Sequence, residues 1–289
     1  MERMMIVGGG TMGLGIAHIG AVAGFEVALS EKKPEQLEKA LATIAANLQK
    51  GVDRGKISAE DAAAARGRVR ASEDFCADAE AADVVIEAVF EDMEVKSKVL
   101  AHLDDHMAPG ALLGSNTSSL SLTKLAAATK SPGRVIGMHF FNPVHVMKLL
   151  EVVMAEQTTQ DTLDRTLALC ERLGKTPVVV KDMPGFATSR LGVCLGLEAM
   201  RMLEQGVASA ADIDTALELG YRHPMGPLKL TDLVGLDVRL NIADHLAREL
   251  TGDQYTAPAI LRTMVAEGKL GKKTGEGFYH WVDGKAVPK

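Results

Sequence analysis

The stretch MMIVGGGTMGLG, residues 4–15, decides the fold. A short apolar run leads into three glycines spaced as GxGxxG, at Gly8, Gly10 and Gly13, and a helical pattern follows to about Gly24. The first glycine permits a tight turn, the second lets the backbone approach a pyrophosphate, and the third lets the helix pack closely on the strand. The N-terminus of that helix adds N–H groups and the positive end of its dipole. The stretch therefore predicts a dinucleotide-binding βαβ unit.

An acidic residue follows the second predicted strand. Glu31 ends the run EVALSE, about 20 residues beyond the glycines, where a carboxylate accepts hydrogen bonds from ribose hydroxyls. Because a carboxylate repels a 2′-phosphate, Glu31 favours NAD over NADP. Lys32 and Lys33 come next and keep NADP as an alternative, and FAD, which uses the same glycine fingerprint, is another. A glycine turn beside a surface glutamate is the structural alternative.

Short β-branched runs alternate with longer helical patterns from Met4 to about Lys181, which is typical of a parallel sheet. The predicted strands are MMIVG, EVALS, DVVIEA, ALLGSN, RVIGMH, LLEVVM and PVVVK. Residues 34–68 predict a helical pair, broken near Gly51 and Gly55, that is inserted into this fold. We therefore predict an α/β architecture. A Rossmann-type, mostly parallel sheet domain occupies residues 1–183, and a smaller all-helical domain over residues 184–289 serves substrate closure and dimerisation.

Charge and cysteine usage limit the class of protein. The 289 residues carry a formal net charge of −6, which disfavours nucleic acids and anionic membranes as partners because both attract basic surfaces. We expect no secretory signal and no membrane span. Cys76, Cys170 and Cys194 stand singly in helical patterns, without the close pairing of metal or redox sites. We expect buried, reduced thiols, no metal, and the cytoplasm or a similar reducing compartment.

A histidine and a glutamate form a candidate catalytic pair. His139 ends the run RVIGMH, at a strand end of the kind that lines the ligand crevice of open parallel sheets. Imidazole titrates close to neutral pH, so it can take and return the proton of a reacting hydroxyl. Glu151 lies in the next apolar run, where a buried carboxylate needs a partner, and His139 can be that partner. The alternatives are a structural histidine and a solvent-facing glutamate.

Small polar residues follow another predicted strand. The segment SNTSSLSL, residues 115–122, can form a polar clamp around a reacting oxygen. It can equally cap the helix that follows. The His139 and Glu151 pair favours the first interpretation.

Seven blocks resemble the L-3-hydroxyacyl-CoA dehydrogenases, including the bacterial 3-hydroxybutyryl-CoA dehydrogenases. They occur in family order and are GGGTMGLGIA, VIEAVFEDMEVK, SNTSSL, HFFNPVHVMKLLEV, DMPGF, HPMGPLKLTDLVGLD and GKKTGEGFY. The resemblance covers essentially the whole chain. It implies a homodimeric enzyme of fatty acid metabolism that oxidises a (3S)-3-hydroxyacyl-CoA to a 3-oxoacyl-CoA by reversible hydride transfer to NAD.

The resemblance also implies roles for single residues. His139 is the base, Glu151 is its partner, and Ser118 contacts both the substrate oxygen and the nicotinamide end of the cofactor. The implied cofactor contacts are Gly8, Gly10, Thr11, Met12, Gly13, Glu31, Glu91, Lys96, Ser118, Asn142 and Lys273.

One catalytic position departs from the family pattern PGFxxNR, because this chain has Ser189 where the asparagine is expected. A hydroxyl still donates one hydrogen bond but is shorter than an amide. We therefore expect altered substrate placement or chain-length preference, with the reaction class unchanged.

The helical pair lies where the resemblance places part of the CoA. Asn47 and Arg54 are the implied contacts, and Lys50 and Lys56 add cations that suit CoA phosphates. A solvated charge run is the alternative.

Two other functions stay open. One is a dehydrogenase of a free hydroxy or sugar acid, such as a gulonate dehydrogenase, and the other is a non-catalytic NAD-binding relative. The basic helical pair and the block GKKTGEGFY favour a CoA substrate. The retained Ser118, His139 and Glu151 favour catalysis.

Overall fold

The computed structural model describes residues 2–289 and divides into two compact units, one ending at Met183 and one formed by Pro184–Lys289. Strands of the first unit are β1 (Arg3–Val7), β2 (Glu26–Ser30), β3 (Val69–Ala71), β4 (Val84–Glu87), β5 (Leu112–Ser115), β6 (Val135–Phe140), β7 (Leu149–Met154) and β8 (Thr176–Lys181). Its α-helices are α1 (Thr11–Val22), α2 (Pro34–Asp53), α3 (Ala59–Gly67), α4 (Phe75–Ala81), α5 (Met93–His106), α6 (Leu122–Ala127) and α7 (Gln160–Arg172).

The eight strands form one sheet in the order β3-β2-β1-β4-β5-β6-β7-β8. All neighbouring pairs are parallel except β6 and β7, so the mostly parallel sheet predicted from the sequence is confirmed. The strand order reverses at β1, with β2 on one side and β4 on the other. In such sheets a crevice opens at the carboxyl ends of the strands, beside the reversal.

The seven predicted strands are all present, and β3 is an eighth that the sequence pattern did not reveal. Its three residues include Arg70, so it lacks the apolar run of the other strands. It is held by pairing with β2. The helical pair is also present, but α2 continues through Gly51, and the chain turns at Gly55, which has a φ of +64°.

The second unit is helical, as predicted. Its elements are α8 (Thr188–Glu204), α9 (Ala210–Gly220), α10 (Pro227–Val234), α11 (Leu236–Glu249), α12 (Ala259–Ala266) and a hairpin of β9 (His280–Val282) and β10 (Lys285–Val287). The hairpin was not expected, because its two strands are only three residues long.

The carboxylate of buried Asp232 connects the two C-terminal sequence blocks, HPMGPLKLTDLVGLD and GKKTGEGFY. It accepts hydrogen bonds from the backbone N–H groups of Phe278 and Tyr279 and from the indole N–H of Trp281, at 2.8–2.9 Å. Burial raises the pKa of Asp232. The carboxylate thus ties the end of GKKTGEGFY to α10.

The three cysteines lie on helices, as predicted, but only Cys170 is buried. Burial raises the pKa of its thiol to about 12, so it is an inert core residue. The expectation of burial is wrong for Cys76 and Cys194, which are partly exposed because each lies at the edge of its helix's packed face. No helix within residues 2–289 is both long and apolar enough to cross a membrane.

Candidate active site

A cavity of about 1060 Å³ opens in the first unit at the carboxyl ends of the parallel strands. It is lined by the residues that end or follow β1, β2, β4 and β5, and by His139 near the end of β6. Predicted site residues on its wall are Gly8, Gly10, Thr11, Met12, Glu31, Glu91, Ser118 and His139. Most of the predicted cofactor and catalytic residues of this unit therefore share one crevice.

The three glycines of the turn differ in whether the fold itself leaves space for a side chain. Gly8 has a φ of +109°, and a Cβ on it would lie 2.5 Å from the carbonyl oxygen of Ala88. A Cβ on Gly13 would lie 1.8 Å from the Gly8 carbonyl oxygen. Gly10 has a φ of −69°, and a Cβ there would meet nothing within 4 Å. The protein itself requires glycine at two of the three positions, and the bare backbone of Gly10 fits a ligand group lying against it.

This difference predicts opposite effects for two substitutions. Gly10→Ala should keep the wild-type free energy of unfolding and raise the Kd of NADH about tenfold, worth ~1.4 kcal/mol. Gly8→Ala should instead lower the unfolding free energy by ~1–3 kcal/mol, because alanine is strained at positive φ. Chemical denaturation and NADH fluorescence titration measure the two quantities. Unchanged cofactor affinity in Gly10→Ala would argue against a ligand at this turn.

Glu31 follows β2 and is held against the glycine turn. One carboxylate oxygen accepts the Gly9 N–H at 2.8 Å, and the other accepts the Lys33 N–H at 3.1 Å. Each oxygen keeps a further lone pair for ribose hydroxyls. The carboxylate is thus placed on the cavity wall as a dinucleotide site requires, with Lys32 and Lys33 on the same wall.

His139 and Glu151 lie directly opposite each other on the antiparallel strands β6 and β7. Nδ1 of His139 is 2.8 Å from Oε2 of Glu151, whose side chain is fully buried, while His139 is 8% exposed. Since a carboxylate only accepts hydrogen bonds, Nδ1 carries the hydrogen, and the neutral ring takes up a proton at Nε2. The geometry is that of an acid/base histidine oriented by a carboxylate.

Glu91 organises the polar segment that follows β5. One of its oxygens accepts the backbone N–H groups of Ser118 and Ser119, at 2.7 and 3.0 Å, and the hydroxyl of Thr117 at 2.8 Å. Burial raises the pKa of Glu91, but the Lys96 ammonium and these hydrogen bonds outweigh it, so the pKa lies below its ordinary value. Glu91 is therefore an anionic clamp that fixes Ser118 at the cavity.

Beneath this clamp lies a buried ion pair. The ammonium of Lys96 is 2.7 Å from Oε1 of Glu87 and 3.4 Å from Oε2 of Glu91, and both Lys96 and Glu87 are at most 1% exposed. The other oxygen of Glu87 accepts the Ser115 hydroxyl at 2.7 Å. Lys96 is thus buried behind the cavity wall, where it supports Glu91, and its contact with the cofactor stays a prediction.

The remaining predicted residues lie elsewhere. Asn142 and Asn47 line a second cavity of about 310 Å³ in the first unit, which shares Thr11 with the first cavity. Arg54 caps the C-terminus of α2. Ser189 lies in the first turn of α8, in the second unit. Lys273, also in that unit, forms an ion pair with Asp237 at 2.5 Å.

Two residues that position the site, Glu87 and Asn116, received no individual role from the sequence, although Asn116 belongs to the predicted polar segment 115–122. Glu87 was counted only as part of a strand, although a charged residue in the apolar run DVVIEA is a signal for a buried partner. Asn116 lines the cavity, and its side-chain oxygen accepts the backbone N–H of Phe140 at 3.0 Å, which couples the ends of β5 and β6 beside His139. No spacing in the sequence indicates that contact.

Comparison with known proteins gives matches over nearly the whole chain. Residues 3–183 match the family model of the 3-hydroxyacyl-CoA dehydrogenase NAD binding domain, and residues 185–281 match that of the 3-hydroxyacyl-CoA dehydrogenase C-terminal domain. The 3-hydroxybutyryl-CoA dehydrogenase of Clostridioides difficile is 41% identical, over 96% of this chain and 99% of the relative. That of Mycobacterium tuberculosis is 42% identical, over 96% and 98%.

Solved structures agree with this relationship. The crystal structure of (S)-3-hydroxybutyryl-CoA dehydrogenase from Ralstonia eutropha superposes with a TM-score of 0.93 at 40% identity. The match covers 98% of this chain and 99% of that one. The resemblance seen in the sequence blocks is therefore matched in three dimensions.

Proposed function

The chain belongs to the 3-hydroxyacyl-CoA dehydrogenase family, and from this premise we propose that it catalyses the reversible, NAD-dependent oxidation of a (3S)-3-hydroxyacyl-CoA to the 3-oxoacyl-CoA. The observation that carries the proposal is the His139–Glu151 pair on the wall of the cavity that begins at the glycine turn. An acid/base group and a dinucleotide cradle thus face one crevice. Short acyl chains are favoured, since the relatives named above are 3-hydroxybutyryl-CoA dehydrogenases.

The cofactor, when bound along the glycine turn and Glu31, supplies the acceptor for the hydride from C3 of the substrate. His139 takes the hydroxyl proton at Nε2 and returns it in the reverse reaction. Glu151 holds the ring in the tautomer with hydrogen on Nδ1 and stabilises the imidazolium that forms. Ser118 is held at the cavity by Glu91, and its hydroxyl, which donates to Oε1 of Glu91 at 3.1 Å, turns to donate a hydrogen bond to the reacting oxygen when substrate binds.

The direct test is to mix the purified protein with acetoacetyl-CoA and NADH and to follow the loss of NADH absorbance. Parallel reactions contain NADPH in place of NADH, or free acetoacetate in place of the thioester. We expect turnover with NADH and the thioester only, because the Glu31 carboxylate repels a 2′-phosphate and free acetoacetate lacks the CoA contacts.

Each other outcome selects a different function. Turnover of a free hydroxy acid or of gulonate would support the free-acid alternative. Tight NADH binding without turnover of any of these substrates would support a non-catalytic relative. Equal rates with NADPH would overturn the role proposed for Glu31.

We infer that the second cavity receives the phosphate-bearing end of CoA. One face of α2 supplies its wall, through Lys39, Thr43 and Asn47, and His145 lies on the other side. Burial lowers the pKa of His145, and the cations Lys175, Lys56 and Arg54 lower it further. The three cations, and not the burial, indicate a positive local potential at His145, which attracts phosphates.

Removing two of these cations should weaken substrate binding selectively. We expect the double variant Arg54→Gln, Lys56→Gln to raise the KM for acetoacetyl-CoA about tenfold, with unchanged kcat and NADH affinity, since a charged contact to phosphate is worth ~1.5–3 kcal/mol in favourable cases. A control variant, Arg66→Gln with Lys124→Gln, removes the same charge from other exposed positions. The N-acetylcysteamine thioester lacks the phosphates, so a raised KM for it as well would contradict the assignment.

We also propose that the enzyme is a homodimer that associates through its second unit. Large apolar side chains are exposed along α8 to α11 of that unit, namely Leu191, Leu219, Tyr221, Leu230, Leu233, Val234 and Val238. Helix α10 packs against α8, α9 and α11, so it lies at the centre of this group. An apolar face of this kind marks a protein interface.

The three free cysteines support a reducing compartment, and we place the enzyme in the cytoplasm.

Leu233→Glu should convert the dimer into a monomer, because a charge would be buried in the proposed interface. Val22→Glu is a matched control in the first unit, since Val22 is 46% exposed and Leu233 is 45% exposed. Light scattering after size-exclusion chromatography measures the mass of each variant. A Leu233→Glu protein with the wild-type mass would place the interface elsewhere.

A further inference from the structure

Three side chains with metal-binding chemistry meet at the edge of the first unit. Cys76 lies on α4, and His102 and His106 lie four residues apart on the same face of α5, which packs against α4. One ligand atom from each residue lies within 4.8 Å of the other two. His102 is exposed, and Cys76 and His106 are partly buried, so the group is accessible to an ion from solvent. No spacing in the sequence joins Cys76 to a second metal-binding side chain, but the fold brings two histidines close to it.

The two imidazoles are already oriented. Nδ1 of His106 lies 2.8 Å from the backbone carbonyl oxygen of His102. A carbonyl only accepts, so Nδ1 carries the hydrogen and the neutral ring keeps its lone pair on Nε2. A hydrogen bond from one ring nitrogen to a carbonyl is the outer contact that metal-binding histidines typically make. The His102 ring is restrained as well, because it stacks on Phe75 with ring centres 5.2 Å apart.

We propose that Cys76, His102 and His106 form a Zn²⁺ site with a water in the fourth position. A thiolate and two imidazoles are a ligand set that zinc prefers. Tetrahedral zinc forms bonds of roughly 2.0–2.3 Å, so its ligand atoms must lie a little closer to one another than they do in the ion-free arrangement. A movement of about 1 Å, within reach of side-chain rotation, brings them to that spacing. The Cys76 thiol releases its proton to solvent when the zinc–sulfur bond forms.

Zinc at this site would change the wall of the 1060 Å³ cavity that begins at the glycine turn. His102 and Phe75, on which it stacks, both line the 1060 Å³ cavity, together with Val95 and Val99 of α5. The movement of about 1 Å that zinc binding requires shifts His102 against Phe75 and so changes the wall. On the proposed function, that wall receives NAD, and the two binding equilibria are then linked by the same factor in both directions. We expect saturating Zn²⁺ to raise the Kd of NADH about fivefold, the lower end of typical coupling.

Cobalt titration of the full-length protein tests the metal site without using activity. One equivalent of Co²⁺ should give the visible bands of a four-coordinate ion and a thiolate-to-cobalt charge-transfer band in the near ultraviolet, and Zn²⁺ should displace it. Cys76→Ser should abolish the charge-transfer band. His102→Asn and His106→Asn should each weaken binding by ~10-fold or more, since even outer contacts of metal ligands are worth ~10–100-fold. Cys194→Ser, at another partly exposed cysteine, should titrate like the wild type.

A second measurement uses the reactivity of the thiols. Zn²⁺ should protect Cys76 from alkylation and leave Cys194 unprotected in the same sample, as read by mass spectrometry. A cobalt spectrum without a thiolate band, or one that survives Cys76→Ser, would overturn the site. A normal cobalt spectrum with an unchanged NADH Kd would refute the coupling to the cavity. Failure of NADH to bind at all would instead refute the proposed function and leave the metal site standing.

Discussion

Replacing His139 with glutamine should lower kcat for acetoacetyl-CoA reduction by ~10²–10⁴-fold, the usual contribution of a general acid or base. The glutamine amide fills a similar space and can donate a hydrogen bond, but it cannot release and regain a proton near neutral pH. The glycine turn and Glu31 are unchanged, so the Kd of NADH should stay at the wild-type value. Steady-state kinetics and NADH fluorescence measure the two effects.

Two further variants make this experiment specific. His280→Gln makes the same change at an exposed position on β9 and should keep wild-type activity. Glu151→Gln keeps a group that can accept the Nδ1 hydrogen bond but removes the charge that stabilises the imidazolium, so it should lower kcat and leave NADH affinity unchanged. If His139→Gln retained more than about a tenth of wild-type kcat, the proton would have to pass to another group.

Replacing Lys96 with methionine should lower the free energy of unfolding by ~3–5 kcal/mol, because it leaves the buried carboxylate of Glu87 without its cation. Adding Glu87→Gln to this variant removes the buried charge and should recover most of the loss. Lys98→Met is a matched control on the same helix, where the ion pair with Glu94 is exposed and its loss should leave stability unchanged. Urea denaturation compares the four proteins.

The same substitution should change how stability depends on pH. Because the folded pKa of Glu91 lies below its ordinary value, its ionised form stabilises the protein above that value, about 4.3, and the stabilisation is lost as the pH falls toward the lowered pKa. Without the Lys96 ammonium the folded pKa rises, so Lys96→Met should lose this stabilisation at a higher pH. The test compares the double variant, which carries both Lys96→Met and Glu87→Gln, with the single variant Glu87→Gln. Identical acid-unfolding curves for these two proteins would contradict the contact between Lys96 and Glu91.

Some of this molecule follows directly from local sequence. Short β-branched runs between helical patterns specify strands, so seven of the eight strands of the sheet were predicted; most of these are buried, whereas β8 at the edge of the sheet is largely exposed. The glycine turn is partly local, because a side chain on Gly13 would clash with the nearby Gly8 carbonyl, whereas a side chain on Gly8 would clash with Ala88, which is far away in the chain. The pairing of His139 with Glu151 was predicted because a carboxylate in a buried strand needs a partner, and the antiparallel register of β6 and β7 places the two residues opposite each other.

Other features depend on contacts between residues that are far apart in the chain. The strand β3 exists only because β2 offers it an unpaired edge. The sequence could not place Lys96 behind the cavity wall, because that position depends on the distance between the start of α5 and the end of β4. Cys76 and His102 are 26 positions apart and share no motif, and only the packing of α4 on α5 brings them together. Hydrophobic pattern and turn chemistry act over a few residues, whereas buried charge pairs and ligand clusters are properties of the packed chain.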